Sequence, residues 1–414
     1  MSDAANTHDA TKTHDATNTH AAANDLVLFD EITCADGLRI GMATLNVPKT
    51  LNGLSLDMTR MLATRMERWA GDPDLALIIL RGSGGRAFCA GGDLHTLYQN
   101  MTQNTGHALG ADSYPGVFFS EEYTLDYRIH TFPKPIMVWG DGIVMGGGMG
   151  LMMGASHRVV TETTRMAMPE ISIGLFPDVG GSWLLNRLPG KTGLFLGLTG
   201  AQIGAADALY AGMADYHLMH DDWDRLVASL KDQTWERGVP GAPEGSLEQN
   251  AVRLANDDRL HGLLAALSCD PSPTVGVLEQ HLSVIQKLCA GSDLEKIVAR
   301  ILALADSPDP WLQRAARTLA AGSPGSVRLT FALLEHCKHV SLAEVYRIEL
   351  VAGLAAASHG DFAEGIRALL VDKDKQPKWN PPTLSQATAR WVEKFFIAPF
   401  PPEKHPLGKL GESA

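Results

Sequence analysis

A chain of 414 residues, 45% hydrophobic and 20% charged, is long enough to bury a large core and has the composition of a globular protein. Its formal charge of −12 argues against non-specific nucleic-acid binding, for which a basic face is needed, although a local pair of lysines would still suffice for a small anion. The five cysteines, Cys34, Cys89, Cys269, Cys289 and Cys337, have no CxxC spacing, which argues against a disulfide framework or a zinc cluster and fits a reducing cytoplasm.

Residues 1–24 carry the repeat THDATKTHDATNTH and very little apolar surface, so they read as a disordered tail. His8, His14 and His20 recur every six residues, a pattern of tail composition rather than of a metal site. The segment has no apolar h-region and no Arg, which argues against a secretory signal and a mitochondrial presequence.

Order is expected from about Leu26. The runs LVLFDEIT and LRIGMATLNV predict two strands joined by an Asp36-Gly37 turn. SLDMTRMLATRMERWAGD has the apolar spacing of an amphipathic helix, with Leu56, Met58, Met61, Leu62, Met66 and Trp69 supplying most of the apolar positions. LALIILRG and PIMVWG are apolar on both faces, as strands of a buried parallel sheet are. HRVVTET and RMAMPE complete the expected strands. The apolar stretch 136–155 is broken by Asp141 and dense in glycine, so it reads as core and not as a membrane span.

This alternation predicts an α/β core over residues 25–220. Residues 221–370 carry helical periodicity with almost no strand pattern, and a charged, Pro-rich connector, one helix and a tail follow over 371–414. His336, Cys337 and His339 are neighbours on one of these helices and point in different directions, so no metal is expected there.

Chemistry is concentrated in the first half. AFCAGGD follows a buried strand, with Asp93 placed to cap the next helix and Gly91 and Gly92 leaving their N–H groups unshielded. Gly146-Gly147-Gly148 repeats the arrangement after a second strand. Either cluster alone is explained by tight helix–sheet packing; two that converge would make a two-donor pocket for an oxyanion. In MPEISIGLFPDVGG both acids, Glu170 and Asp178, follow a proline, and Gly174 offers a place for the chain to fold back so that they face one cavity. The alternative makes Glu170 a solvated loop residue and Asp178 the cap of a helix starting near Gly180. On the predicted helix GVFFSEEYTLDYRIHTF, Glu122 falls on the apolar stripe of Phe118, Leu125 and Ile129. A carboxylate there either lines a pocket or bonds to buried backbone.

Together, AFCAGGDL, GDGIVMGGGMGL and MPEISIGLFPDVGGSWLLNRLPG resemble the crotonase (enoyl-CoA hydratase/isomerase) superfamily. More closely, with KTGLFLGLTG and DKDKQPKWNP, they resemble its branch that hydrolyses 3-hydroxyisobutyryl-CoA; the likeness covers roughly residues 26–400. The resemblance implies a core of repeated ββα units followed by an α-helical C-terminal region. It implies an acyl-CoA substrate whose CoA is part of the substrate rather than a separate cofactor, and no metal. The N–H groups of Gly92 and Gly147 would form the oxyanion hole, Glu170 would be the main catalytic carboxylate with Asp178 beside it, and Glu122 would line the acyl pocket. The segment Pro48 to Leu54, with Asn52, would lie along the CoA; relatives usually read Asn-Ala-Leu there, and Gly53 replaces the alanine.

Hydration of a double bond in this fold uses a second glutamate on the helix after the glycine run. Here that position is Gly150, and residues 142–156 contain no acid. Thioester hydrolysis asks for less, because the leaving thiol is a weak base with a free pKa of about 8.5. Two N–H donors and one or two carboxylates suffice. Three readings therefore stay open: a short-chain 3-hydroxyacyl-CoA hydrolase of valine breakdown, a hydratase or isomerase of the same fold, and a non-catalytic acyl-CoA-binding protein. The sequence leaves the homo-oligomeric state open and gives no membrane or nucleic-acid partner.

Overall fold

The computed structural model describes residues 26–103 and 108–412; the tail expected over residues 1–24 lies outside them. Six strands form the main sheet: β1 (Val27–Thr33), β2 (Arg39–Leu45), β3 (Leu75–Gly82), β5 (Ile136–Gly140), β7 (His157–Val160) and β9 (Tyr216–His217), in that spatial order. The first two pair antiparallel, as the Asp36-Gly37 turn predicts, and the others run parallel. Side chains of β3 alternate between two apolar clusters. Leu77 and Ile79 pack with Met137, Trp139 and the helices beyond residue 222, while Ile78 and Leu80 pack towards α1 (Leu56–Ala70). That two-sided burial is why the run carries no polar residue before Arg81.

A second sheet, β4 (Ala87–Cys89), β6 (Ile143–Met145) and β8 (Arg165–Ala167), is parallel throughout. The sequence pattern marks only β8 of these three, because three-residue strands are too short to show a period. This small sheet is what organises the molecule. The C-terminal ends of its strands release, in turn, Gly91-Gly92, Gly146-Gly147 and Pro169-Glu170. Ligands of parallel sheets gather at such ends.

Helices α2 (Leu94–Gln103), α3 (Tyr114–His130), α4 (Gly147–Met153) and α5 (Gly181–Leu185) surround these loops. Asp93 does cap α2: its carboxylate accepts from the Thr96 N–H at 3.2 Å and the Thr96 hydroxyl at 2.6 Å. The C-terminal helix Leu342–His359 lies against α3. Its Val345, Tyr346, Leu350 and Leu354 belong to the same apolar cluster as Phe119 and Tyr123 of α3. The final expected helix is short, Ala389–Val392 followed by a tighter turn over Glu393–Phe396.

Candidate active site

The two glycine loops meet. A methyl built on Gly147 would lie 3.6 Å from the Gly92 nitrogen and 2.5 Å from Glu122 Oε1, and one on Gly146 would lie 3.3 Å from Glu170 Oε1. Among the described residues, neither the Gly92 nor the Gly147 N–H donates to a protein acceptor. Both are therefore free for a ligand oxygen. Gly146 has φ +50° and ψ −124°, a conformation closed to side-chain-bearing residues, and this turn brings Gly147 beside Gly91 and Gly92. If the site turns over the thioester that the sequence resemblance implies, Gly147→Ala should stay folded yet lose roughly tenfold in kcat, since the methyl must displace Glu122 by a fraction of an ångström. An unchanged kcat in steady-state assay would remove Glu122 from the site.

The chain folds back at Gly174 (φ +75°) between Glu170 and Asp178, and the two lie close enough for the Asp178 charge to act on the Glu170 carboxyl. Both are buried, with 4% and 5% exposure, so neither is a solvated loop residue. Asp178 is not a helix cap either. The α5 N-cap is Gly180, without any side-chain bond, and the Asp178 carboxylate instead accepts the Tyr123 hydroxyl at 2.8 Å. The capping expectation fails because Val179 (φ +52°) and Gly180 (φ +81°) turn the chain between Asp178 and the helix.

Glu122 is buried on α3 and faces Gly147. One turn on, Asp126 is wholly buried, and both its oxygens are without a hydrogen-bond partner among the described residues. A methyl on Gly150 would lie 2.5 Å from Asp126 Oδ2 and 2.8 Å from Val179 Cβ. So the space beside Gly150, where a hydratase-type glutamate would need to stand, is filled by another residue's carboxyl. From the C-terminal helix Glu349 adds a fifth buried acid. Its two oxygens accept from Gly180 N at 2.7 Å and Ser182 N at 2.8 Å.

Asn52 stands apart from this group. Its side-chain oxygen accepts from Val47 N at 2.9 Å, and its amide donates to the carbonyls of Ser83 (3.0 Å) and Ala87 (2.9 Å). Fully buried and at φ +56°, which asparagine tolerates better than most residues, it staples the 47–54 loop to β4. Both amide hydrogens are engaged, so contact of this loop with a ligand falls to its neighbours and its backbone.

The electrostatics follow from burial. None of the five acids, Glu122, Asp126, Glu170, Asp178 and Glu349, forms an ion pair among the described residues. Desolvation pushes the Glu170 carboxyl well above the ordinary range, and the nearby Asp178 adds to it. Glu122 and Asp126 are raised in the same way. Asp178 rises to about 6, burial outweighing the Tyr123 hydrogen bond, and Glu349 to about 8 despite its two N–H donors. Folding thus makes these groups hold protons that the unfolded chain would release above about pH 4. Their contribution to stability is full at low pH and falls as pH rises through their folded values. We expect the urea midpoint to decrease from about pH 6 to about pH 8, the interval between the Asp178 and Glu349 values, when followed by circular dichroism. A midpoint that rises over that interval would contradict the assignment.

A cavity of about 360 Å³ is lined by Val179 and Gly180 together with Met149, Met153, Trp183 and Leu184. It holds none of the five acids.

Free N–H pairs facing a carboxylate cluster at the ends of a parallel sheet define a site for a carbonyl that becomes an oxyanion. The comparisons agree with that class. The family model described as enoyl-CoA hydratase/isomerase matches residues 40–396, and the chain belongs to this family. It is 37% identical over 358 residues, 86% of each chain, to "3-hydroxyisobutyryl-CoA hydrolase, mitochondrial" of Xenopus tropicalis. To the protein of the same name from Homo sapiens it is 35% identical over 356 residues, again 86% of each. Among solved structures, a carnitinyl-CoA dehydratase from Mycobacterium thermoresistibile superposes with a TM-score of 0.77 at 32% identity, covering 94% of this chain and all of that one. An enoyl-CoA hydratase from Rhodobacter sphaeroides gives 0.72 at 33% identity, covering 90% and 98%. The fold is the crotonase α/β fold with a helical C-terminal region, as the motifs imply. No helix among the described residues is long and apolar enough to cross a membrane.

Proposed function

We propose that this protein hydrolyses the thioester of 3-hydroxyisobutyryl-CoA, or of a close short-chain 3-hydroxyacyl-CoA, to the free acid and CoA, in valine degradation. One observation carries the reading. The N–H groups of Gly92 and Gly147, without a protein acceptor among the described residues, lie on two loops that meet beside Glu122 and Glu170, while Asp126 fills the space over Gly150 that a second, hydrating glutamate would need. The curated relatives, whose names give this activity, support it.

In this reading the thioester oxygen accepts both N–H groups and gains negative charge as the carbonyl carbon is attacked. Two routes balance. In the first, the Glu170 carboxylate attacks the carbonyl carbon, the C–S bond breaks, and CoA leaves as thiolate; water then cleaves the resulting mixed anhydride. In the second, Glu170 takes a proton from water, which attacks directly, and the tetrahedral adduct expels the same thiolate. Asp178 holds the water or the substrate hydroxyl, and Glu122 lines the acyl pocket. CoA belongs to the substrate, so no separate cofactor enters.

A second reading, hydratase or isomerase chemistry, is favoured by the two solved structures, whose titles name a dehydratase and a hydratase. Release of free thiol from 3-hydroxyisobutyryl-CoA, followed with a thiol reagent, separates the two. Hydrolysis liberates CoA; hydration, isomerisation and simple binding do not. Loss or gain of enoyl-thioester absorbance without thiol would establish the second reading.

A further inference from the structure

Asp178 sits at the start of a turn that should not be stable on its own. The next residue, Val179, is β-branched, and its φ of +52° places it in the left-handed region, where its side chain crowds the backbone. Strain of this kind persists only where the surroundings over-determine it. On one side of the turn lies the cavity lined by Val179, Gly180 and Gly181, into which it has room to relax. On the other side stands the helix Leu342–His359, whose Glu349 is fully buried and accepts the N–H groups of Gly180 and Ser182, one on each oxygen. Tyr346, one turn earlier on that helix, closes over the same glycine: a methyl on Gly180 would lie 2.9 Å from its hydroxyl oxygen.

We propose that Glu349 is a positioning residue for the hydrolytic site. Its carboxyl group clamps the two N–H groups that follow the Val179 turn, and so keeps Asp178 directed at Glu170 and at the Tyr123 hydroxyl. The proposal rests on the reading of Asp178 as part of the hydrolase site, and it makes the C-terminal helices a working part of that site rather than a cover for it. Glu349 touches no reacting atom; it acts through Asp178.

The test is steady-state hydrolysis of 3-hydroxyisobutyryl-CoA by Glu349→Gln, Glu349→Gln/Val179→Gly and Asp178→Asn in the full-length protein, with unfolding midpoints for each. Glutamine keeps the shape but turns an NH2 group towards one of the two N–H donors. The turn then relaxes, and kcat should fall about tenfold while KM changes less than about twofold. Glycine adopts the left-handed conformation without strain. The double variant should therefore recover most of the lost kcat, which a general weakening of the core would not allow. Should Glu349→Gln fail to fold, Glu349→Asp, which withdraws the carboxylate by one methylene, is read in the same way. Wild-type kcat in a folded Glu349 variant, with Asp178→Asn slow, would overturn the proposal and leave the Asp178 reading standing. A fall that Val179→Gly does not relieve would also overturn it. Wild-type kcat in Asp178→Asn would remove the Asp178 reading and the proposal together.

Discussion

Glu170→Gln is expected to fold normally, to bind acyl-CoA with affinity close to that of the parent protein, and to lose nearly all thioester hydrolysis. The side chain is buried beside Gly146, with Oε2 unpartnered, and glutamine fills the same volume and stays neutral at pH values where the carboxyl would ionise. Folding stability should therefore hold or rise slightly. The chemistry has no such substitute, because an amide can neither accept the proton of water nor attack a carbonyl carbon. A general base contributes roughly a hundred- to ten-thousand-fold, and that range is the loss expected in kcat. Binding should survive, since the N–H groups of Gly92 and Gly147 are backbone and stay in place. Residual turnover within about tenfold of the parent would remove Glu170 from the chemical step. Single turnover of the parent protein in oxygen-18 water then separates the two routes. Label in the Glu170 carboxylate marks attack by the enzyme; label in the product alone marks attack by water.

The sequence makes this residue visible for a simple reason. Glu170 and Asp178 each follow a proline inside an apolar segment, and an acid in such company has to be explained. The glycine runs are visible for the same reason. Their convergence is not. It is produced by β4, β6 and β8, strands of three residues each, and the first two are marked only by the glycines that closely follow them. The apolar runs of β3 and β5 are legible because both of their faces are buried. Asp126 and Glu349 pass unnoticed among helical polar residues, yet the signal that exposes Glu122 exposes them too. Asp126 stands four residues after Glu122 and between Leu125 and Ile129, and Glu349 follows Val345 and Tyr346 at helical spacing on the buried face. Asn52 shows another limit of the sequence: the hydrogen bonds by which its side chain holds local backbone are displayed only by the fold.

Asp178→Asn has the second large effect, and the structure sharpens what it decides. With capping excluded, a purely structural role for Asp178 reduces to accepting the Tyr123 hydroxyl, and asparagine accepts that bond through Oδ1. On that role stability, kcat and pH profile would all stay near those of the parent protein. A role in holding water or the substrate hydroxyl predicts a fall in kcat of roughly a hundredfold, the cost of a misplaced reactant, with KM little changed. The pH profile supplies a second and independent mark. Burial is the main cause that raises the Glu170 carboxyl, and repulsion from Asp178 is the next. In the proposed reaction Glu170 must be ionised, so activity is expected to rise with pH through its folded value. Removing the charge at position 178 lowers that value, and the acid limb of kcat/KM must move to lower pH. A variant that is slow but keeps the parent's acid limb would mean that Asp178 places a reactant without acting electrostatically on Glu170. A variant with both rate and limb unchanged would leave Glu170 to work alone.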